Sequence, residues 1–272
     1  MSQSQCNPRR YSYPVLHLIV PFVRVLLGMR SSLSHDAALL LRNVRPGPRV
    51  LNATNIPPTT PFVMVMNHYD RPGLGAWWGV SVIVSAVAAQ RTQEPRELRM
   101  AMAREWWYPS GIGRVLKQPL THWFFGQLAK SYGLIPLPPV IEKAEFRGQG
   151  ALAIRHAVAL MRGAHPQLVG LSPEGRTGEN LTLCEPPAGT GLFLLMLTRD
   201  AAPCLPVGIY EDADMALTVN FGAPFQLAVP RGLTREQQDR SAVRQVMTEV
   251  GRLLPKRMWG AYKADIGTRH VL

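Results

Sequence analysis

The sequence predicts one α/β domain, a mixed and largely parallel sheet flanked by helices, preceded by an N-terminal amphipathic helical segment. Short β-branched runs alternate with helix-length stretches along most of the 272 residues, the pattern of strand–helix–strand units. Several runs are apolar throughout rather than alternating, as strands buried on both faces require. No repeat or low-complexity linker interrupts them, and a 46% hydrophobic composition suffices for one full core. The division falls near residue 45, with helices in 1–45 and the α/β domain in 46–272.

The elements follow in order. Between Tyr13 and Met29, Val15, Leu16, Ile19, Val20, Val23, Leu26 and Leu27 share one helical face, and His17, Pro21, Arg24 and Gly28 form a narrow opposite stripe. Pro21 and Arg24 make this stretch short and flawed as a spanning helix, and Gly28-Met29-Arg30 offers no small-residue cleavage site for a signal peptide. With Arg9, Arg10, Arg30 and Arg42 around it, it fits a helix lying in a membrane interface, or else one packed on its own domain. A second helix near Asp36 to Arg42 ends before Arg45-Pro-Gly-Pro. Strands are predicted at Arg49–Asn52, Phe62–Met66, Leu98–Ala103, Leu168–Ser172, Cys204–Tyr210 and Ala216–Phe221. Helices are predicted at Leu74–Gln90, Val115–Ser131, Gly150–Arg162, Gly191–Arg199 and Thr234–Leu254. Gly189-Thr-Gly191 reads as helix-start punctuation or as a phosphate cradle lacking its third glycine.

Charge is unevenly placed. Residues 1–50 hold seven arginines against Asp36 alone, and residues 231–272 hold nine basic and four acidic side chains. The stretch between is nearly neutral, with 14 basic and 13 acidic. Basic ends suit an anionic membrane surface or an acidic substrate such as a phosphate ester or an acyl carrier. No basic run is interleaved with aromatics and no nucleic-acid-binding module is present, which argues against nucleic acid as a partner. Cys6, Cys184 and Cys204 are too few and too scattered for a disulfide framework, and no metal-ligand spacing occurs.

Two strand ends carry the candidate chemistry. The run Pro61-Phe-Val-Met-Val-Met ends on Asn67-His68-Tyr-Asp70, and Leu168-Val-Gly-Leu ends on Ser172-Pro-Glu174-Gly175-Arg176. Open α/β sheets place their sites at carboxyl ends of strands, and an imidazole there can take a proton from an incoming hydroxyl. Asp70 reads either as the partner of His68 or as the N-cap of the helix after Arg71-Pro72. Glu105 and Glu174 are alternative partners. The run Gly170-Leu-Ser172-Pro-Glu174 also bears on a serine hydrolase, although the elbow motif needs Gly where Glu174 stands.

Taken in order, these pieces resemble the glycerophospholipid acyltransferase family, of the lysophosphatidate type. Asn67-His68 matches the start of its first motif, and Phe125-Gly126 with Gly133-Leu-Ile-Pro-Leu the approach to its second. Pro173-Glu174-Gly175 matches its third, and the run from Ala202 to Pro206-Val207 its fourth. Three departures mark this chain as divergent. Gly73 stands where the family has an acid five residues after the histidine, Pro139 where the second motif has arginine, and Arg176-Thr177 where the third has Thr-Arg.

The resemblance implies a glycerol-3-phosphate acyltransferase-like fold and an O-acyltransferase of phospholipid biosynthesis. It would move a fatty acyl group from a thioester, acyl-CoA or acyl carrier protein, to a hydroxyl of a lysophospholipid or related lipid. It implies His68 as general base, and Asn67, Glu174, Gly175 and Arg176 around the substrate. With Gly73 at the family's acid position, Asp70 is the nearby carboxylate that could orient His68 if the turn bends back. No cofactor beyond the thioester co-substrate and no metal are implied. Membrane lipid is the further partner, with the protein peripheral on the cytoplasmic face. A non-catalytic lipid- or acyl-binding relative is the alternative.

Overall fold

Three apolar runs form the centre of the sheet: β2 (Val63–Met66), β5 (Leu168–Leu171) and β6 (Cys204–Glu211). Every residue of β2 and β5 is buried, so neither strand alternates, because helices cover both faces. With β1 (Arg49–Leu51), β3 (Leu98–Ala103), β4 (Ile135–Leu137) and β7 (Leu217–Phe221) they make a seven-stranded sheet ordered β1-β7-β6-β2-β5-β3-β4. Only β6 and β7 run antiparallel. The computed structural model describes residues 11–138, 150–199 and 202–267. Cys6, Arg9, Arg10 and Pro139, named in the sequence reading, lie outside the described residues.

The helices are α1 (Val15–Leu26), α2 (Leu33–Leu40), α3 (Ala76–Gln90), α4 (Gln118–Tyr132), α5 (Gly150–Arg162), α6 (Thr190–Leu197), α7 (Arg235–Arg252) and the short α8 (Lys263–Gly267). A π-helical turn, Gly113–Lys117, leads directly into α4. α3 is apolar on all sides because it is enclosed: Trp78, Val82, Ile83, Val84 and Val87 are all at most 2% exposed. It packs along α2 on one side and β7 on the other. α7 opens with a capping box in which Thr234 and Gln237 satisfy each other's backbone N–H.

The predicted strands and helices are present, with ends shifted by one or two residues at most positions. β4 has no counterpart in the sequence reading, since it is three residues long and carries Pro136. The α3 prediction starts two residues early because Arg71 and Leu74 exchange backbone hydrogen bonds in a closed turn, and Gly75 becomes the N-cap. α1 turns its apolar face outward. Pro21 and Val25 are buried, and Gly28 lies against Gln127 and Lys130 of α4, while Leu16 is 82% exposed.

Gly189-Thr-Gly191 is helix punctuation. The buried carboxylate of Asp239 on α7 accepts from Gly189 N at 2.7 Å and Leu192 N at 2.9 Å, so the N-terminus of α6 already holds a protein anion where a phosphate would sit. Gly191 permits this approach, since a Cβ there would stand 2.1 Å from the Asp239 carbonyl oxygen. Asp239→Ala should therefore lower stability by about 1–3 kcal/mol through the two orphaned amides, measured by urea denaturation.

Candidate active site

β2 lies between β5 and β6, and the register Val65↔Leu171 brings the carboxyl ends of β2 and β5 side by side. Asn67-His68 and Ser172-Pro173-Glu174 therefore leave the sheet as neighbours. β6 continues past the end of β2, which would strand the backbone groups of Ile209 on that side. The Asn67 amide takes over the ladder: its Nδ2 donates to Ile209 O at 2.9 Å and its Oδ1 accepts from Ile209 N at 2.7 Å. A side chain imitating a peptide unit satisfies both groups inside the core.

Glu174 does the same between loops. It is 1% exposed; its Oε2 accepts from His68 N at 2.9 Å and its Oε1 from Cys184 N at 2.7 Å. Burial pushes its carboxyl up to about 7, with the two amide bonds pulling the other way. The polar groups of Asn67 and Glu174, expected around a substrate, are thus engaged by backbone. Gly175 follows at φ +63°, a conformation that favours glycine, and it is exposed beside the exposed Arg176.

The turn after His68 bends back, so Asp70 Oδ1 lies 3.5 Å from His68 Nδ1. Between them sits the Thr177 hydroxyl, a residue absent from the sequence-based site. Thr177 Oγ1 is 2.9 Å from His68 Nδ1 and 3.2 Å from Asp70 N, and its hydrogen goes to Asp70 Oδ1. A hydroxyl has one hydrogen and two acceptor positions. With the hydrogen on the carboxylate, Nδ1 must donate to Thr177, which assigns the tautomer and leaves Nε2 as the basic nitrogen. Among the described residues Nε2 takes no hydrogen bond, and the imidazole is 28% exposed. Burial lowers the His68 pKa, and Asp70 acts in the opposite sense.

Asp70 does not cap α3, whose N-cap Gly75 makes no side-chain bond. Glu105 lies instead among Arg104, Gln118 and His122. Among the described residues the buried Ser172 hydroxyl has no hydrogen-bond partner, so no base reaches it as a nucleophile elbow requires. Among the described residues no three His, Cys, Asp or Glu side chains group as metal ligands.

Beside Asp70 opens a cleft of about 450 Å³ walled by Tyr13, Leu74, Trp77 and Trp78. Its charged floor is closed. Arg71 forks onto both oxygens of buried Glu211 at 2.5 Å, and the Tyr11 and Tyr69 hydroxyls donate to the same carboxylate at 3.1 and 3.2 Å. Burial, then Glu211, push the Tyr69 hydroxyl up to about 12 and Tyr11 upward too, so both remain donors. The cleft thus offers aromatic and aliphatic walls next to a histidine–threonine–aspartate chain.

No protein-family model matches the sequence, and no curated protein does. Among solved structures, the chain is similar to the crystal structure of the 1-acyl-sn-glycerophosphate (LPA) acyltransferase PlsC from Thermotoga maritima. Identity is 15%, 83% of this chain and 76% of that one are covered, and the TM-score is 0.43.

Glu174→Ala should orphan two amides and cost about 2–4 kcal/mol of stability. Glu174→Gln, which imitates the protonated carboxyl, should cost less. Chemical denaturation of both variants at one pH checks the order.

Proposed function

We propose that the protein transfers a fatty acyl group from a thioester, acyl-CoA or acyl carrier protein, to a hydroxyl of a lysophospholipid or related lipid at a membrane surface. The observation that carries this reading is the His68–Thr177–Asp70 chain at the joined ends of β2 and β5, whose Asp70 end borders an aromatic cleft and whose Nε2 takes no hydrogen bond among the described residues. The order of sequence motifs supports the same chemistry. Nε2 takes the proton of the acceptor hydroxyl as its oxygen adds to the thioester carbonyl. The tetrahedral intermediate collapses with loss of the thiolate, which receives the proton held on Nε2. Because a thiolate leaves readily, activating the hydroxyl is the main task, and a single imidazole suffices for it.

Thr177 and Asp70 hold the ring and offset the charge of the transient imidazolium. An apolar cleft that begins at Tyr13, immediately before α1, suits a lipid acceptor entering from the side on which α1 shows its apolar face. In this reading the exposed Arg176, on the loop that carries Thr177, meets a headgroup phosphate. Peripheral attachment on the cytoplasmic face belongs to the same proposal.

An acyl-transfer assay over a panel of lysolipids tests it. His68→Ala should lose about a hundred- to ten-thousand-fold in rate with an unchanged circular dichroism spectrum. A parental protein that binds acyl donor without turnover would instead make it a binding relative. Thr177→Val should cost roughly ten- to a hundredfold and Thr177→Ser little, because only the hydroxyl bridges ring and carboxylate.

The pH profile gives a further check. A base works when neutral, so kcat/KM should rise with pH through an acid limb below 6.5, the ordinary histidine value from which burial lowers His68. Asp70→Asn still accepts the Thr177 hydrogen but removes the charge. It should slow turnover by roughly ten- to a hundredfold and move the acid limb lower still.

A further inference from the structure

α1 does not stand alone as an apolar surface. Its neighbour is the continuous helix made of the π-helical turn and α4: Phe22 and Phe124 rings lie 6.4 Å apart, and Gly28 rests against Gln127 and Lys130. These two contacts fix the helices side by side in the same sense, residue 22 at the level of 124 and 28 at that of 127–130. Going toward the start of each helix, both turn large apolar side chains to the outside. On the second helix Ile112 is 74% exposed, Val115 70%, Leu116 64%, Leu120 61% and Trp123 46%.

Scattered exposed apolar residues need no explanation, but a contiguous patch of this kind does. Charge decides what covers it. Residues 11–35 and 106–138 together contain Arg24, Arg30, Arg114, Lys117 and Lys130 and not one carboxylate, and all five cations are exposed. The nearest carboxylates along the chain, Asp36 and Glu105, are buried and engaged by Tyr132 and by Gln118 and His122. An apolar surface whose own two segments expose cations and no acid complements an anionic phospholipid interface. Exposed Trp123 has the amphipathic ring favoured at headgroup depth. Among the described residues no helix is long and apolar enough to cross a membrane, so the fit is to a helix pair lying in the interface.

We propose that the segment Ile112 to Trp123 is a second membrane-docking element, which enters the same anionic leaflet as α1 and forms with it one two-helix docking face. This rests on the reading of the protein as one that works at a lipid surface, and extends it to a segment outside the N-terminal helices. Two side-by-side helices fix the orientation of the domain on the leaflet, whereas a single one leaves it free to roll about the helix axis.

Flotation of the full chain with vesicles of phosphatidylglycerol and phosphatidylcholine in equal parts, and of phosphatidylcholine alone, tests it. Leu116→Glu/Leu120→Glu should weaken binding to the anionic vesicles by about tenfold or more, as should Val20→Glu/Val23→Glu on α1. Leu152→Glu on α5, equally exposed in the native chain, should bind as the parent does. Leu116→Ser/Leu120→Ser, with melting temperature unchanged, guards against a loss caused by misfolding and should weaken binding in the same direction. Undiminished flotation of both Leu116/Leu120 variants, with the α1 variant released, overturns the second element and leaves the lipid-surface reading standing. A parental chain that floats with neither vesicle removes both. Binding of an acidic acyl carrier protein, but not of vesicles, that is lost in the Leu116/Leu120 variants would make the face a protein dock and overturn the proposal.

Discussion

The buried carboxylate of Glu174 is the joint on which the site depends. It reaches across from the loop after β5 to the backbone of His68 after β2, and its other oxygen holds Cys184. Parallel strands fix only where two chains leave a sheet; they do not fix the loops beyond. Here two charge-assisted hydrogen bonds supply that second constraint. Once the loops are tied, Thr177, three residues beyond Glu174, falls between a ring and a carboxylate that the turn at Arg71–Leu74 has already folded toward each other. Asn67 completes the frame by extending the β2–β6 ladder with a side chain.

The polar groups nearest the histidine, those of Asn67 and Glu174, are thus taken up by backbone. Residues that look chemically active in the linear sequence carry the load of holding the loops. His68 is joined to an acid two positions away through an intervening hydroxyl. Two features act together here, the acid two positions after the histidine and the hydroxyl of Thr177. Together they keep a carboxylate in electrical contact with the imidazole while a neutral group bridges the gap.

The fold was legible wherever burial imposed a pattern. β2 and β5 are apolar throughout and β6 nearly so up to Glu211, α3 is an apolar run of helix length, and α5 and α7 carry a helical period, so the sequence located all of them. β4 was not legible, because three residues with a central proline show no period. The amphipathicity of α1 was plain, but amphipathicity alone does not say which face packs, and only its contact with α4 shows that the apolar side points away. For the helix predicted at Val115–Ser131 the sequence likewise did not show which face packs, and the structure leaves Val115, Leu116, Leu120 and Trp123 exposed. At the site, the strand-end placement of His68 and Glu174 was readable. Thr177 was not, because its role depends on the φ +63° turn at Gly175 and on a contact over a hundred residues away.

The two ends of the sheet have a consequence of their own. A row of open amides and carbonyls invites another strand, and long flat edges are where sheets grow into aggregates. β1 is three residues long and its Arg49 is held by Asp212 and Asp214, which sets charge along that border. β4 is equally short, and Pro136 at its middle has no N–H to offer. Neither border can template a further chain over more than a pair of residues.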